Sequence, residues 1–382
     1  MTDKVLAINP GSTSTKIAVY ENGELILRED VSHSAADLAR FPEIPDQLPY
    51  RKAAILEALA RKGVTPEGCA AFSGRGGGLQ PCEGGVYEVN SVMLAHARSG
   101  KYGGRHPAAL GCQLAAEFAQ QYGGRAFVVN GPDTDEFCQE ARVTGLADVF
   151  RASHVHALNQ KETALRVARE LGVAYEGANF IVAHLGGGVS ITAHRQGRMV
   201  DSNDIIHGDG PMAPTRSGAL PVKDVIDLCF SGRWTKEELH VRVTKEGGFV
   251  DHLGTADFLE IKKRRQTDGY VDLIYRAFLY QISKQIGAMA SVLEGRVDAI
   301  ILTGGIARDE ELVEEVKRRV GFIGPVVVRP GEVEMEALIA GALRVLRGEE
   351  SPKSYTGEPV FLNFDALKGV PAAQGATASI AR

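Results

Sequence analysis

Two turns rich in small residues are the parts of this 382-residue sequence best suited to chemistry. The first, Asn9-Pro10-Gly11-Ser12-Thr13-Ser14-Thr15-Lys16, follows the apolar run 5–8 and leads into residues 17–20, closed by the hairpin pair Asn22-Gly23. The second, His184-Leu185-Gly186-Gly187-Gly188, follows the apolar run 180–183 and leads into residues 189–194, closed by Gln196-Gly197. In such turns the backbone N–H groups are unobstructed by side chains, and the alternating return strand holds them rigidly, an arrangement that suits phosphate oxygens. A lone glycine-rich turn is usually just a turn. Two copies, one per half and differing by one residue in spacing, predict two similar lobes that face each other and hold opposite ends of a polyphosphate.

The elements that must position these turns follow from hydrophobic periodicity. Strands are predicted near residues 4–8, 16–20, 24–27, 69–72 and 125–129, with helices at 51–61 and 108–121, an alternation that gives an α/β lobe. A second series begins after a helix at 160–171, which Gly172 caps, and has strands near Phe180, Val189, Met199, 297–302 and 325–328. Within it, Ile274, Phe278, Ile282, Ile286 and Met289 recur at helical spacing, so 271–293 is expected to be one long buried helix of the core. From Ser351 onward the scattered Pro, Gly, Ala and Ser, with one apolar cluster at Val360-Phe361-Leu362, read as a loosely ordered tail with room for local packing.

Length and composition bound the class. A chain of this length favours two domains, and 44% hydrophobic residues support full globularity. The net charge of −5 is spread without a basic stripe or polybasic segment, which disfavours nucleic acid and membrane surfaces as partners. The first residues lack the charged start and long apolar core of a signal peptide, and no run approaches the roughly 18 apolar residues of a membrane span, so a cytoplasmic location is expected. The five cysteines are dispersed and form no CxxC pair, which suits reduced thiols.

Together the motifs resemble the acetate and sugar kinase, Hsp70 and actin superfamily, and within it the acetokinase family, most closely its butyrate kinases. The matching segments are the two turns, Ser73-Gly74-Arg75-Gly76-Gly77-Gly78, His106-Pro107, His156-Ala157-Leu158-Asn159-Gln160-Lys161, Asp209-Gly210-Pro211-Met212, Thr215-Arg216-Ser217-Gly218, Leu302-Thr303-Gly304-Gly305-Ile306-Ala307 and Pro330-Gly331-Glu332 with Glu334-Met335-Glu336. The resemblance implies two lobes of a duplicated ribonuclease H-like α/β fold with ATP and Mg2+ in the cleft, and reversible phosphoryl transfer to a short-chain carboxylate. It places an N-terminal lobe at 1–155, joined by a C-terminal helix near 335–347, and a nucleotide-binding lobe at 156–335, with the tail at 351–382. It also implies hinges near 150–160 and just after Met335, and a homodimer in which the 271–293 helix region is a candidate contact.

On that reading a carboxylate, already ionised at neutral pH, needs no general base. The demand is for positive donors around the moving phosphoryl group. Arg75 and Arg216, each flanked by small residues that let a ligand approach, are the expected guanidinium forks. His184 is expected to stabilise the transition state through a ring N–H, and His156 to orient its neighbours, with His154 only two residues away. His106 and Asp133 fall on the substrate side. Asn9 is directed at the γ-phosphate or its metal. Gly11, Ser12, Ser14, Gly186, Gly187, Gly188 and Asp209 serve the phosphates, while Lys16 either joins them or stabilises its turn. Gly304, Gly305 and Ile306 offer flat backbone to the adenosine. Glu334 and Glu336 are alternative Mg2+ carboxylates that sequence register does not separate. One departure stands out: butyrate kinases place an aspartate after the strand at 127–129, where this chain has Asn130, leaving Asn130, Asp133 and Asp135 as alternatives.

Three activities compete on this evidence: a butyrate kinase, a kinase for acetate, propionate or branched acids, and an ATP-switched binding protein without transfer. An added methylene in an apolar pocket discriminates by about 1–3 kcal/mol, so several acids are expected to be accepted. The switch-type reading needs a polymer-binding extension, and no separate domain follows the second lobe in this sequence.

Overall fold

The computed structural model describes residues 3–102 and 106–369, which divide into two compact units. The first holds the described residues up to 136, with 144–150 and those from 335 on; the second holds 137–143 and 151–334.

In the first unit, β1 (Val5–Pro10) is buried along its whole length, as its unbroken apolar run requires of a strand covered on both faces. It pairs antiparallel with β2 (Ser14–Glu21), which pairs antiparallel with β3 (Glu24–Ser32). On its other side β1 runs parallel to β4 (Ala71–Gly74). The short β5 (Val86–Glu88) and β6 (Arg125–Val129) follow, so that with the two-residue strand Lys353–Ser354 the seven-stranded order is Lys353–Ser354, β5, β6, β4, β1, β2, β3. Leu6, Ile8, Ile17 and Val19 pack on Ile55 and Leu59 of the helix Leu48–Arg61 and on Leu110, Leu114 and Phe118 of the helix Leu110–Tyr122.

The second unit repeats this plan. β7 (Asn179–Leu185), β8 (Val189–Arg195), β9 (Arg198–Ser202), β10 (Ala299–Gly304) and β11 (Val326–Pro330) form a five-stranded sheet in the order β11, β10, β7, β8, β9. The pairings β7/β8 and β8/β9 are antiparallel, and β7/β10 and β10/β11 parallel, matching β1/β2, β2/β3, β1/β4 and β4/β6. Both copies even carry a register shift in the second hairpin, at Val19/Tyr20 and at Ala193/His194. The duplicated α/β fold expected from the two turns is therefore visible in strand order and direction.

The long helix runs Gly269–Val292. Asp268 starts it by accepting from the Tyr270 and Val271 N–H groups, and Ile274, Phe278, Ile282, Ile286 and Met289 are buried against the second sheet. Losing the Phe278 ring there would cost about 3–5 kcal/mol.

The units part at 137 and 151 rather than at 155, because the chain at both points is held by β9. The Cys138 N–H donates to the Val200 carbonyl, and the Arg151 guanidinium is held by Asp201 and Asp209. The segment expected as a loosely ordered tail with local packing is mostly exposed, and packs at Tyr355, Phe361 and Phe364. Tyr355 is buried and its hydroxyl accepts from the Gln80 N–H at 2.8 Å, while Phe361 and Phe364 meet the Phe150 ring edge-on. Residues 370–382 lie outside the described part. No helix among the described residues is long and apolar enough to cross a membrane.

Candidate active site

In the second unit the hairpin from β7 to β8 delivers His184 and the turn Gly186-Gly187-Gly188, closed by a Gly186 N–H to Gly188 carbonyl bond of 3.1 Å. His184 is 2% exposed, and its Nδ1 lies 2.9 Å from the Asn159 amide nitrogen. The Asn159 carbonyl oxygen is already used by the Val333 N–H at 2.9 Å, which fixes the amide with its NH2 toward the imidazole. Nδ1 therefore accepts, and the ring proton sits on Nε2, the nitrogen beside Gly186. His156 begins the helix Ala157–Glu170 and stacks face to face on His184. Its Nδ1 bonds the Ser190 hydroxyl at 2.7 Å, and that hydroxyl also accepts from Gln160, whose carbonyl oxygen bonds the buried His194.

Arg216 completes this group. It lies on the loop 213–218, tied back to the turn by the Thr215 hydroxyl donating to the Gly187 carbonyl at 3.3 Å. A Cβ built on Gly188 would stand 1.9 Å from Arg216 Nη1 and 3.3 Å from the His156 ring, so only glycine leaves this space open. Arg216 Nη1 is buried without a hydrogen-bond partner, and burial pulls the guanidinium pKa below its ordinary value. A buried cation with an unsatisfied donor is costly unless an anion meets it. Gly188 thus makes room for the guanidinium, and the unsatisfied Nη1 suits an anionic oxygen.

Gly304 ends β10 at φ +90° with its Cα pressed against Leu185, where a Cβ would meet the Leu185 carbonyl at 2.3 Å. It brings the backbone of Gly305, which faces open space, alongside the end of β7, while Ile306 turns into the core. Asp209 is held by Arg151 at 2.9 Å, so the carboxylate assigned to the phosphates already has a cation of its own.

In the first unit the equivalent turn is closed by the Gly11 N–H donating to the Ser14 carbonyl at 2.7 Å, with Ser12 exposed. Asn9 is buried at the position matching His184, and Lys16, directly across the ladder from it, is exposed. Arg75 follows β4, its N–H bonded to the Ile8 carbonyl, where Gly111 packs so closely that a Cβ would meet the Arg75 carbonyl at 2.1 Å. Partial burial, with the charges of Arg75 and Arg51, holds the His106 imidazole below its usual pKa. Arg51 was not among the expected residues. It is fully buried, donates to the Ser14 carbonyl and Thr15 hydroxyl beneath the turn, and retains a buried, unpartnered Nη2. Within the helical run 51–61 it reads as an ordinary solvated cation, so its only signal was its distance in sequence from any acidic partner.

Asn130 adopts φ +39°, a conformation asparagine tolerates better than most residues, and exchanges two hydrogen bonds with Gly85. The position where the resemblance leads one to expect an aspartate is thus a braced turn. Asp133 and Asp135 are tied by backbone bonds to Cys82. Glu336 is ion-paired to Arg28 within the first unit, whereas Glu334, at the start of the helix Glu334–Leu346, falls in the second.

The acetokinase family model matches residues 149–329. Among solved structures, acetate kinase from Porphyromonas gingivalis aligns at a TM-score of 0.74 with 20% identity, covering 90% of this chain and 99% of that one. Acetate kinase from Entamoeba histolytica aligns at 0.70 with 15% identity, over 89% and 98%. A propionate kinase from Francisella tularensis aligns at 0.65 with 17% identity, over 88% and 98%. The family match thus falls on the stretch that contains His156, His184, the triple-glycine turn, Asp209, Arg216 and Gly304, and the fold is similar to that of the acetate and propionate kinases.

Proposed function

We propose that this protein is an ATP-dependent short-chain carboxylate kinase that forms an acyl phosphate, with butyrate or a similar four-carbon acid as the acceptor. The observation that carries this reading is Arg216: a half-buried guanidinium whose buried Nη1 has no hydrogen-bond partner, packed against Gly188 beside the His156 ring that stacks on His184.

In the reaction, a carboxylate oxygen bonds to the γ-phosphorus as the bond from that phosphorus to the β,γ-bridging oxygen breaks, giving acyl phosphate and ADP. No proton changes hands, so the imidazoles are free to act as donors rather than bases. His184 Nε2–H and the Arg216 fork supply hydrogen bonds to the equatorial oxygens as charge builds on them, and the 186–188 turn presents backbone N–H groups to the phosphate chain. Within the first unit we assign Arg75 and His106 to the carboxylate, and Asn9 with its turn to phosphate or its metal. His106 edges a pocket of about 270 Å3 lined by Ile44, Pro45, Ala109 and Leu110 together with the polar Glu43, Arg98 and Gln113.

The donor set suits Mg2+, whose preference is for oxygen. Glu334 and Glu336 are the alternative carboxylates we assign to it; Glu336 pairs with Arg28 through one oxygen, and its other oxygen is buried without a partner. When bound, the ion neutralises phosphate charge. We also assign a homodimer, for which Tyr270, Leu273 and Tyr280 supply exposed apolar surface on the long helix; a monomeric mass in solution would contradict it.

A panel of linear and branched C2 to C6 acids with Mg-ATP, scored as hydroxamate, tests the substrate assignment. An optimum at four carbons is expected; an optimum at two would assign the protein to acetate instead.

A further inference from the structure

The loop that leaves β9 gathers three residues for which the phosphoryl-transfer reading has no use. His154, Asp204 and His207 each offer a ligand atom within 4.8 Å of those of the other two. The arrangement is built from both sides of the loop. Asp204 is buried, and its Oδ1 accepts from the Ile206 and His207 N–H groups at 2.7 and 2.9 Å, which folds residues 204–207 into a tight turn. That turn leaves Oδ2 facing two imidazoles at once, with His154 Nδ1 and His207 Nδ1 each 2.9 Å away. The two rings stand perpendicular, 4.7 Å apart. His154 is held in place independently, because its carbonyl accepts from the Ile205 N–H at 3.1 Å. Asn203, one residue before, is locked to β8 through the Ile191 N–H and the Val189 carbonyl. The Asp204 side chain thus holds the turn that carries His207, while His154 is held by its own backbone bond to Ile205.

Two imidazoles and one carboxylate are a donor set for a borderline first-row cation such as Zn2+, not for Mg2+, which prefers oxygen. The spacing agrees. Donor atoms 2.9 Å apart subtend close to a right angle at an ion about 2.1 Å from each, the bond length usual for imidazole and carboxylate ligands. His207 is mostly exposed, so the remaining coordination positions open to water.

We propose that His154, Asp204 and His207 form a binding site for a divalent transition-metal ion, distinct from the Mg2+ that accompanies ATP. Its position gives it a consequence. The Asp204 N–H and carbonyl bond to Asp209 at the far side of the same loop, and the chain runs on from there to Arg216. An ion at this site clamps the loop that carries Asp209, and so stiffens the approach to Arg216.

The test uses metal-stripped full-length protein without ATP or carboxylate, so its outcome is separate from that of the assigned activity. Zn2+ is titrated calorimetrically, and Co2+ is titrated while its visible bands are recorded. Saturable binding of a single ion per chain is expected, with cobalt bands of nitrogen and oxygen ligation and no thiolate charge-transfer band. His207→Ala, at an exposed position where the fold should tolerate truncation, is expected to weaken affinity at least about tenfold, and His154→Gln to do the same. His240→Ala, an exposed histidine elsewhere, is expected to bind as the parent does. Excess Mg2+ is expected not to displace the ion. Absence of saturable binding, a His207→Ala variant that binds as tightly as the parent, or a thiolate band would each overturn the site.

Discussion

The imidazole rings of His156 and His184 lie face to face, 3.9 Å between centroids and 12° from parallel, although one starts a helix and the other ends a strand. Each is gripped at Nδ1, His156 by Ser190 and His184 by Asn159, and His184 Nε2 lies 3.8 Å from a Glu332 carboxylate oxygen. The grip on His184 is what places its proton on Nε2. Asn159→Leu, which keeps the volume and removes the donor, is therefore expected to lower kcat about 10–100-fold while leaving ATP affinity nearly unchanged. Steady-state kinetics beside equilibrium ATP binding separates the two; an unchanged kcat would remove His184 from the reacting group.

Adjacent glycines in one turn should respond oppositely to the same substitution. A Cβ on Gly188 would collide with Arg216 Nη1 at 1.9 Å, whereas one on Gly187 meets nothing within 4 Å. The Arg216 end group is flexible enough to move aside, so Gly188→Ala should fold normally and lose activity by about 10²-fold or more. Gly187→Ala should remain close to the parent. Equal activities in the two variants would show that the Gly188 space is not used.

Acid should destabilise the protein through His194, which is fully buried between the Tyr175 hydroxyl and the Gln160 carbonyl oxygen. Burial, with the nearby Lys161 charge, holds its pKa well below 6.5. The unfolded chain takes up a proton near pH 6.5 that the folded chain refuses, so this contribution is complete above that pH and is lost as pH falls below it. The slope is at most about 1.4 kcal/mol per pH unit for this one group. Urea unfolding of the parent and His194→Gln at pH 7.5 and 5.5 should show a flatter dependence in the variant; parallel slopes would contradict the assignment.

The C-terminal segment should be a stabilising part of the first unit. Tyr355 is 2% exposed and its hydroxyl is bonded to both the Gln80 N–H and His96 Nδ1. Tyr355→Ala is expected to cost about 3 kcal/mol, read as a lower urea midpoint. A midpoint within error of the parent would return residues 353–369 to the status of a loose tail.

What was legible in the sequence follows from how each feature announces itself. β1 and β7 are unbroken apolar runs ending in small residues, so both strands, both turns and their equivalence could be read directly. Arg51 was hidden because a cation in a helical run looks the same whether solvated or buried, and only the fold shows it beneath the Ser14 turn. β5 is three residues long, too short for alternation to register. The helix Val222–Cys229 carries Val222, Val225, Ile226 and Cys229 at helical spacing but buries no residue, and its eight residues make only about two turns. Asn159 was legible only as part of a family segment, since its effect depends on Val333, far away in sequence, occupying its carbonyl oxygen.

The central claim is that the Arg216 and His184 group moves a phosphoryl unit from ATP to a carboxylate. The most direct measurement incubates parent and Arg216→Ala with Mg-ATP and butyrate, and counts ADP and hydroxamate-trapped acyl phosphate in the same samples. Equal amounts of the two products in the parent, and loss of both by about 10²-fold or more in the variant, are expected. ADP released without acyl phosphate, or a variant as active as the parent, would contradict the account.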